Sequence, residues 1–342
     1  LQAMINASNP GDQVWVAAGT YKPTTGTDRN ISFVMKNGVG IYGGFPNSGN
    51  PVFSNRNWTA NVTTLSGEIG APDISDNSYH VVYNDNNGLG NSAVLDGFTI
   101  SGGNANGNVE FFTDAGGGIY NASVSPTIIN CTIKNNEAAK GGGVFNRLDA
   151  FPNLINCTFS GNFGTQGGAM YNVFNGSPNI TNCTFSGNSS FFGGAMANWV
   201  NSSPIVANSI FWGNTVGEIA NTGSGGAAVI TYSIVQGGYS GTGNLNADPL
   251  FVNAGGSDFR LQACSPAINK ATSSGAPASD LDGNPRPVNT GYDMGAYEYQ
   301  SGLPSVTAFC QNQTVYLNAA GNATLAASAL NNGSTGCAPL SF

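Results

Sequence analysis

Charged side chains are scarce in this sequence. Asp, Glu, Lys and Arg make up 8% of the 342 residues, with a net charge of −8 and a single histidine. A nucleic-acid partner would require a basic face for its phosphates, so the acidic balance excludes that class. Hydrophobic runs are short as well, and none approaches the length of a transmembrane helix.

Long helical patterns are also missing. No stretch combines the length and the 3.6-residue periodicity of a crossover helix. What the sequence does contain is a repeat of 26 residues, marked by a cysteine in an Asn-Cys-Thr triplet and by a proline five residues before it. These markers are Cys131, Cys157, Cys183, Pro126, Pro152, Pro178 and Pro204. A fixed period of this length indicates stacked supersecondary units.

Each unit predicts two or three short strands. Residues 179–185 alternate with period two, which is a strand signal, and Gly187-Asn188 supplies a turn because both residues tolerate positive φ. A second short strand is expected at 194–198. The sequence therefore predicts an all-β fold: a right-handed single-stranded parallel β-helix with coils of about 26 residues, a short N-terminal capping helix and a C-terminal β tail.

Identical positions stack in such a fold, because each strand pairs with its copy about 4.8 Å away. We predict a structural ladder in which cysteines fill the core and asparagines satisfy backbone groups at a corner. Its members are Asn130, Asn156, Asn182, Asn208, Cys131, Cys157 and Cys183. The Gly-Gly pairs at 141–142, 167–168 and 193–194 are predicted to mark a corner where no Cβ fits.

The predicted solenoid covers residues 1–302. It divides into an N-terminal cap with irregular coils over 1–100, regular repeats over 120–235, and C-terminal coils with a terminal block over 236–302. Residues 303–342 change character and are expected to be a partial Ig-like β segment or an inter-subunit linker. A complete sandwich needs ~100 residues, so we predict that this segment adds strands to a neighbouring copy.

The first residues predict a cap over the open end of the core. Leu1, Met4 and Ile5 share one face of a short helix, and a solenoid needs such a cover for solubility. Residues 31–35 are expected to form a further strand. Since the chain begins at Leu1 with no visible signal peptide, we expect a processed or excised piece of a longer secreted protein.

Two alternating motifs carry a family resemblance over roughly residues 95–235. They are Phe-Ser-Gly-Asn at 159–162 and 185–188, Phe-Trp-Gly-Asn at 211–214, and Gly-Gly-Ala-Met at 167–170 and 193–196. These resemble the FxxN and GGA[ILV] repeats of chlamydial polymorphic outer-membrane proteins, with Met in place of the aliphatic residue. The resemblance implies a β-helical surface passenger acting in adhesion.

The C-terminal third carries two further resemblances. Residues 248–298, which include Asp-Leu-Asp-Gly-Asn-Pro at 280–285, resemble the end of choice-of-anchor β-helix modules in secreted bacterial proteins. Residues 303–342 are similar to the start of Ig-like, hyalin-repeat-type modules of large bacterial adhesins. Both resemblances imply a bacterial protein that is extracellular or exposed on the cell surface.

Cysteine and asparagine usage adds modification sites to the prediction. Cys310 and Cys337 could pair as a disulfide in an oxidising exterior, whereas the three repeat cysteines are expected to be free thiols. Glycosylation acceptors are predicted at exposed Asn-x-Ser/Thr triplets. These are Asn57, Asn61, Asn188, Asn201, Asn312, Asn322 and Asn332. The alternative is that such triplets simply reflect an Asn- and Thr-rich chain.

Two local features are candidate binding sites. Asp280, Asp282 and Asn284 have the spacing of the first ligands of a calcium loop, although the downstream bidentate glutamate is absent and a plain turn is the alternative. Calcium is thus the one cofactor considered. Phe111 and Phe112 could be exposed aromatic residues that form a contact surface, or one of them could point into the core.

An enzyme of the β-helix class needs clustered acids with a base or a cationic group. The ionisable residues of the repeats do not recur at one coil position, so they predict no carboxylate groove. They are Lys134, Glu137, Lys140, Arg147, Asp149 and Glu218. Near the N-terminus Glu68, Asp73 and Asp76 precede His80, which is expected to be a structural histidine within a strand.

These observations predict that the chain is not an enzyme. We expect a secreted or cell-surface structural protein, either an adhesin or an extracellular filament subunit that self-associates through residues 303–342. Surface glycans or host-cell ligands are the other expected partners. The alternative is a carbohydrate-active β-helix enzyme, a polysaccharide lyase or hydrolase, or a glycan-binding module marked by aromatic residues along one exposed face.

Overall fold

The computed structural model describes residues 1–222, 226–302, 311, 313–326 and 329. Within them the chain forms a right-handed parallel β-helix that begins with a short α-helix, Gln2–Ala7. This confirms the predicted fold class. Each regular coil contributes four short strands, one to each of four parallel sheets, where the sequence had predicted two or three.

Sheets 1 and 2 run the length of the solenoid with eight strands each in the described part of the chain. Sheet 1 contains Gln13–Ala17, Gly40–Phe45, Val94–Asp96, Thr127–Ile129, Asn153–Ile155, Asn179–Thr181, Ile205–Ala207 and Val229–Thr231. Sheet 2 contains Gly19–Tyr21, Thr63–Ser66, Thr99–Ser101, Thr132–Lys134, Thr158–Ser160, Thr184–Phe185, Ile210–Phe211 and Ile234–Val235.

Sheets 3 and 4 are shorter and close the other side of each coil. Sheet 3 contains Asn104–Ala105, Glu137–Lys140, Phe163–Gln166 and Ser189–Ser190. Sheet 4 contains Val82–Asp85, Ile119–Ala122, Val144–Arg147, Met170–Val173, Met196–Trp199 and Ile219–Thr222. An antiparallel hairpin, Phe251–Asn253 with Asp258–Leu261, follows the last coil. Single 3-10 turns occur at Phe53–Asn55, Ile74–Asp76, Val109–Phe111 and Ala254–Gly256.

The register between coils is the sequence period itself. Ile128 pairs with Leu154, Leu154 with Ile180, and Ile180 with Val206. Inside sheet 2 the Phe159, Phe185 and Phe211 rings stack with centroid separations of 4.3 and 4.5 Å and nearly parallel planes. Equivalent side chains therefore lie on top of one another and fill the core at each level.

Corners fall where the backbone turns left-handed. Asn130, Asn156, Asn182 and Asn208 have φ between 51° and 56°, and each ends the sheet 1 strand of its coil. This is why residues 179–185 form two strands and not one. Gly141, Gly167 and Gly193 open another corner at positive φ, and a Cβ on the next glycine, Gly142, would lie 2.2 Å from the Phe163 carbonyl oxygen.

The asparagine corner also anchors the C-terminal block, which folds back along the solenoid. Asn156 donates to Asn130 Oδ1 at 3.2 Å and to the Ser279 carbonyl at 2.7 Å. Asn182 donates to the carbonyls of Asp293 and Gly295. The stacked Cys131, Cys157 and Cys183 lie fully buried beside this corner as free thiols. Burial raises the pKa of the Cys131 and Cys157 thiols well above the usual range.

Several local predictions differ from the structure. Residues 31–35 form no strand and contribute one isolated bridge at Phe33, because neighbouring turns leave the segment without a continuous partner. In the capping helix Ile5 is buried, but Met4 points to solvent. The described residues of the predicted C-terminal tail, which are 311, 313–326 and 329, contain no strand, and Cys310 and Cys337 lie outside the described residues. The domain boundaries stay a prediction.

Candidate functional site

A column of aromatic rings covers the outer face of sheet 4. Tyr83, Tyr120, Phe145 and Tyr171 come from four successive strands, with ring centroids 4.7, 5.3 and 5.8 Å apart. The rings lie within 4° to 25° of parallel along the column. Stacked rings in this arrangement form a rigid apolar floor whose tyrosines keep a polar edge.

Strand alternation explains the column. The two neighbours of each aromatic residue in its strand point inwards. In sheet 4 the neighbour that follows the aromatic residue is always asparagine. Asn121, Asn146 and Asn172 bond one another through their side-chain amides at 3.0 and 2.9 Å. The buried amide row fixes the strand register, so the outward aromatic residues cannot slip to another level.

A loop folds over the column between sheets 3 and 4. Asn108 caps the 3-10 turn Val109–Phe111 by accepting a hydrogen bond from the Glu110 amide, and Phe112 follows in a left-handed conformation with φ of 56°. The Phe112 ring centroid lies 6.3 Å from that of Tyr120. The loop thus places a phenylalanine at the edge of the aromatic floor.

The loop and the floor enclose an open cleft of about 250 Å³, hereafter the aromatic cleft. Its lining combines aromatic, aliphatic and charged side chains. They are Phe112, Asp114, Ala115, Lys140, Phe145, Arg147, Tyr171, Val173, Phe174 and Trp199. Phe174 and Trp199 are exposed at the far wall. An apolar depression with a few converging polar groups is the usual form of a small-ligand site.

The charged groups of the aromatic cleft leave polar atoms unpaired. Lys140 Nζ lies 2.8 Å from Asp114 Oδ2 in an ion pair, while Asp114 Oδ1 is buried without a hydrogen-bond partner. Arg147 Nε is likewise buried and unpartnered. The Arg147 guanidinium donates a long hydrogen bond of 3.4 Å to the Tyr120 hydroxyl. Buried polar atoms without partners are uncommon in folded proteins and call for a ligand or water.

A second depression of about 220 Å³ lies on the other side of the same loop. It is lined by Asn30, Tyr79, His80, Tyr83 and Thr113. His80 is buried, its Nδ1 lies 3.0 Å from the Gly116 carbonyl, and burial lowers its pKa to about 4. A neutral, enclosed imidazole agrees with a structural role. Burial also raises the pKa of Tyr83 to about 12.

The structure places the other predicted site residues at separate locations. Phe112 lies in the wall of the aromatic cleft; the Phe111 side chain lies outside the described residues. Of the predicted glycosylation acceptors, Asn57, Asn201 and Asn322 are exposed and Asn61 is half-buried. Asn312 and Asn332 lie outside the described residues.

The expectation that Asn188 is an exposed glycosylation acceptor is wrong. Asn188 is fully buried, and its Nδ2 donates to the Phe159 carbonyl and to Asn214 Oδ1. It belongs to an interior amide row that continues from Asn162. A side chain whose amide nitrogen is committed inside the core offers nothing to a glycan-transferring enzyme once the chain has folded.

At the predicted calcium loop, Asp280, Asp282 and Asn284, backbone amides donate hydrogen bonds to both carboxylate oxygens of Asp280. Asp280 is buried, its Oδ1 accepts from the Asn284 amide at 2.8 Å and its Oδ2 from the Glu298 amide at 3.0 Å. Burial raises the pKa of Asp282. No group of three or more Asp, Glu, His or Cys residues that could hold a metal occurs in the described part of the chain. The geometry is that of a closed turn.

Lys140 and Arg147 do not recur from coil to coil, so the repeat alone predicts no site for them. The structure places them in consecutive strands of one coil, and the loop that carries Phe112 and Asp114 contacts both of them. A usable signal was present: Tyr120, Phe145 and Tyr171 hold nearly the repeat spacing at an outward position of their strands. Outward aromatic residues that recur at this spacing predict a stacked column beside a covering loop or a ligand site, and in the structure Tyr120, Phe145 and Tyr171 are at most 5% exposed.

No family model matches the chain, and no curated protein matches it, so the resemblances to chlamydial repeats and to anchor modules gain no support. A crystal structure of pectate lyase Pel9A matches with a TM-score of 0.46 and 14% identity, over 86% of this chain and 90% of that one. No helix in the described residues is long and apolar enough to cross a membrane.

The comparison contradicts the prediction that this chain is not an enzyme, because a solved structure that it matches is that of an enzyme. That prediction is withdrawn. A match at this identity and TM-score assigns no activity to this chain, so function has to be argued from the aromatic cleft itself. What the fold establishes is a right-handed parallel β-helix with a ligand-sized cleft on the outer face of its fourth sheet.

Proposed function

We propose that this chain is a carbohydrate-active β-helix protein that binds an acidic glycan in the aromatic cleft. The observation that carries the proposal is the unpartnered, buried Arg147 Nε at the wall of a cleft floored by aromatic rings. Sugar rings present apolar C–H faces and polar edges, and an aromatic floor with charged walls matches both.

The geometry suggests how such a ligand would lie. Phe145 and Tyr171 present only their ring edges to the floor, because their faces stack on one another, whereas the exposed ring of Trp199 at the edge offers a face on which a sugar ring could rest. The distance between coils determines the distance between these rings. A polymeric ligand that runs along the solenoid could therefore contact one coil after another.

Charge favours an acidic ligand. The cleft contains two cations, Lys140 and Arg147, against one carboxylate, Asp114, whereas the chain as a whole carries a net charge of −8. An anionic polymer would therefore be repelled by most of the surface and attracted to this place. A guanidinium is the side chain best suited to hold a carboxylate or sulfate through paired hydrogen bonds.

A polymeric acidic glycan is found outside cells, so the proposal includes an extracellular or cell-surface location. The ionisable trio in the cleft also supplies groups for acid–base chemistry. For that reason the test measures cleavage of the glycan as well as binding. The adhesin and filament roles predicted from the sequence have no support in the described residues and are not part of the proposal.

The test is a titration of the full chain with polygalacturonate and with the same polymer after methyl esterification, which removes its charge. We expect the acidic polymer to bind at least about 10-fold more tightly than the ester. Replacing Arg147 with Gln should remove that preference, and Trp199→Ala should weaken binding of both polymers. Release of unsaturated products and of new reducing ends is followed in the same samples.

The matched control is Arg260→Gln, which removes a surface guanidinium that pairs with Asp258 far from the cleft. It should bind like the unmodified chain. Arg147→Lys keeps the positive charge and should retain part of the preference, although lysine cannot form the paired contact. Equal binding of the two polymers, or an unchanged preference in Arg147→Gln with its melting temperature preserved, would refute the proposal.

A further inference from the structure

Five buried side-chain oxygens without hydrogen-bond partners occur at one corner of the N-terminal coils. They are Glu68 Oε1, Asp76 Oδ1, Asn77 Oδ1, Ser78 Oγ and Asn104 Oδ1. Asn77, Ser78 and Asn104 are at most 3% exposed. One such atom could be incidental, but half of the orphaned atoms in the described structure belong to these five residues. Each would cost free energy if it had no partner.

Backbone hydrogen bonds bring the three segments that carry these oxygens together. The Ser78 amide donates to the Gly67 carbonyl at 2.9 Å, and the Asn104 amide donates to the Ser78 carbonyl at 2.9 Å. A Cβ at Gly102 would lie 3.5 Å from both Asn77 Nδ2 and the Glu68 amide. The end of a sheet 2 strand, a 3-10 turn and the start of a sheet 3 strand thus meet at this corner.

The orientation of the two amides is fixed by their nitrogens. Asn77 Nδ2 donates to the Gly102 carbonyl at 2.6 Å, and Asn104 Nδ2 donates to the Ile74 carbonyl at 2.7 Å. Each oxygen therefore points away from a committed nitrogen and cannot exchange places with it. Asp76 is held in the same way, because its Oδ2 accepts from the Ala71 amide at 2.7 Å and leaves Oδ1 free.

No protein cation neutralises the two carboxylates. In the described residues no Lys, Arg or His nitrogen forms an ion pair with Glu68 or Asp76. The nearby Arg29 is engaged elsewhere: it donates to the carbonyl oxygens of Asn77 and Asn104, at 2.6 and 2.8 Å. Those contacts brace the backbone of two of the five residues from outside the cluster.

We propose that these five residues bind one calcium ion. Two carboxylates, two amide carbonyls and a hydroxyl form an all-oxygen set, which is the preference of Ca²⁺, and no nitrogen or sulfur ligand is present to favour a transition metal. Mg²⁺ fits less well because it retains several waters and demands a stricter octahedron. The ion would tie three segments of the irregular coils together. This site is separate from the aromatic cleft.

The test is calorimetric titration of the EDTA-treated full chain with CaCl₂, with MgCl₂ titrated in parallel. We expect one calcium ion to bind per chain. Mg²⁺ should bind at least about 10-fold more weakly than Ca²⁺. Saturating calcium should raise the melting temperature by about 3 °C or more, since an ion that binds only the folded state stabilises it. Glu68→Gln and Asp76→Asn should each weaken calcium binding at least about 10-fold.

The matched control is Asp282→Asn, which alters the calcium-like spacing in the C-terminal block and should leave binding unchanged. Circular dichroism shows whether each variant folds, and two independent carboxylate variants guard against a failure of either one. Absence of both heat and a thermal shift in the unmodified chain would mean that water satisfies the five oxygens and would overturn the proposal. Loss of binding in Asp282→Asn with retention in Glu68→Gln would overturn it too.

Discussion

The Arg147 guanidinium lies over the Phe112 ring, with its central carbon 3.7 Å from the ring centroid. The two residues come from different parts of the coil: Arg147 ends a sheet 4 strand, and Phe112 lies at the tip of the loop that crosses it. A cation over an aromatic face is attracted by the ring quadrupole, by about 1 kcal/mol or more when partly desolvated. This contact ties the loop to the wall of the aromatic cleft.

Replacing Phe112 with Ala should weaken binding of the acidic polymer about 5-fold. The reason is that Arg147 loses the ring that orients it and shields it from water, which corresponds to about 1 kcal/mol. Phe112→Tyr keeps the aromatic face and should bind like the unmodified chain. Titration with polygalacturonate measures both. An Ala variant with unchanged affinity would show that the loop contact does not organise the site.

Phe185→Ala should lower the free energy of unfolding by about 3–5 kcal/mol, the usual cost of emptying a large aromatic position in a core. Its ring is stacked between Phe159 and Phe211, so the cavity is bounded above and below by rigid neighbours that cannot collapse into it. Urea unfolding followed by circular dichroism measures the change.

The comparison for this variant is Phe191→Ala, since Phe191 is 72% exposed. Its free energy of unfolding should stay within about 0.5 kcal/mol of the unmodified chain, because exposed positions carry little packing energy. If Phe185→Ala and Phe191→Ala lowered the free energy of unfolding by similar amounts, the stacked phenylalanines would not be a stabilising part of the core.

Glu218 makes stability depend on pH. Burial raises its pKa to about 7 from an ordinary value of 4.5, so the folded chain holds a proton that the unfolded chain has released between these values. The free energy of unfolding therefore falls as the pH rises from 4.5 to 7, and the contribution of Glu218 is constant above that range. This loss amounts to at most about 3 kcal/mol. Glu298, whose pKa burial also raises to about 7, acts in the same direction.

Glu218→Gln isolates the contribution of this one group, because glutamine does not ionise. The unmodified chain should lose stability relative to the variant as pH rises from 4.5 to 7.5, whatever constant offset the amide introduces. Urea midpoints across this range measure the difference. A difference that does not change with pH would mean that Glu218 keeps an ordinary pKa in the folded chain.

The solenoid could be predicted from the sequence because residues 26 apart lie on top of one another in successive coils. Their side chains face the same environment, so the same residue types recur. The period cannot show how often the chain bends within one coil. The left-handed conformation of Asn182 divides a seven-residue alternating run into two strands, and alternation alone does not reveal such a bend. Four sheets were therefore found where fewer were expected.

The aromatic cleft was harder to predict for a different reason. Two of its lining residues, Phe112 and Asp114, belong to the loop between sheets 3 and 4, and the repeat does not show which coil a loop will cover. Phe112 meets Arg147 across 35 positions of sequence, and only the folded loop brings them together. The oxygens around Asn77 were missed likewise, because a count of acids does not register amides and hydroxyls left without partners.

Every row of stacked amides has a direction, and so each row must end. From Asn136 onwards each side chain donates to the next coil until Asn214 meets the carboxylate of Glu218. The corner row runs the opposite way, from Asn156 through Asn130 to the carboxylate of Asp96. An asparagine in the middle of a row donates one hydrogen bond and accepts another. A coil that carries such an asparagine could therefore be duplicated without leaving a donor or an acceptor in the row unpaired. The terminal carboxylates are not interchangeable with interior units, so growth of such a rod by duplication is confined to its middle.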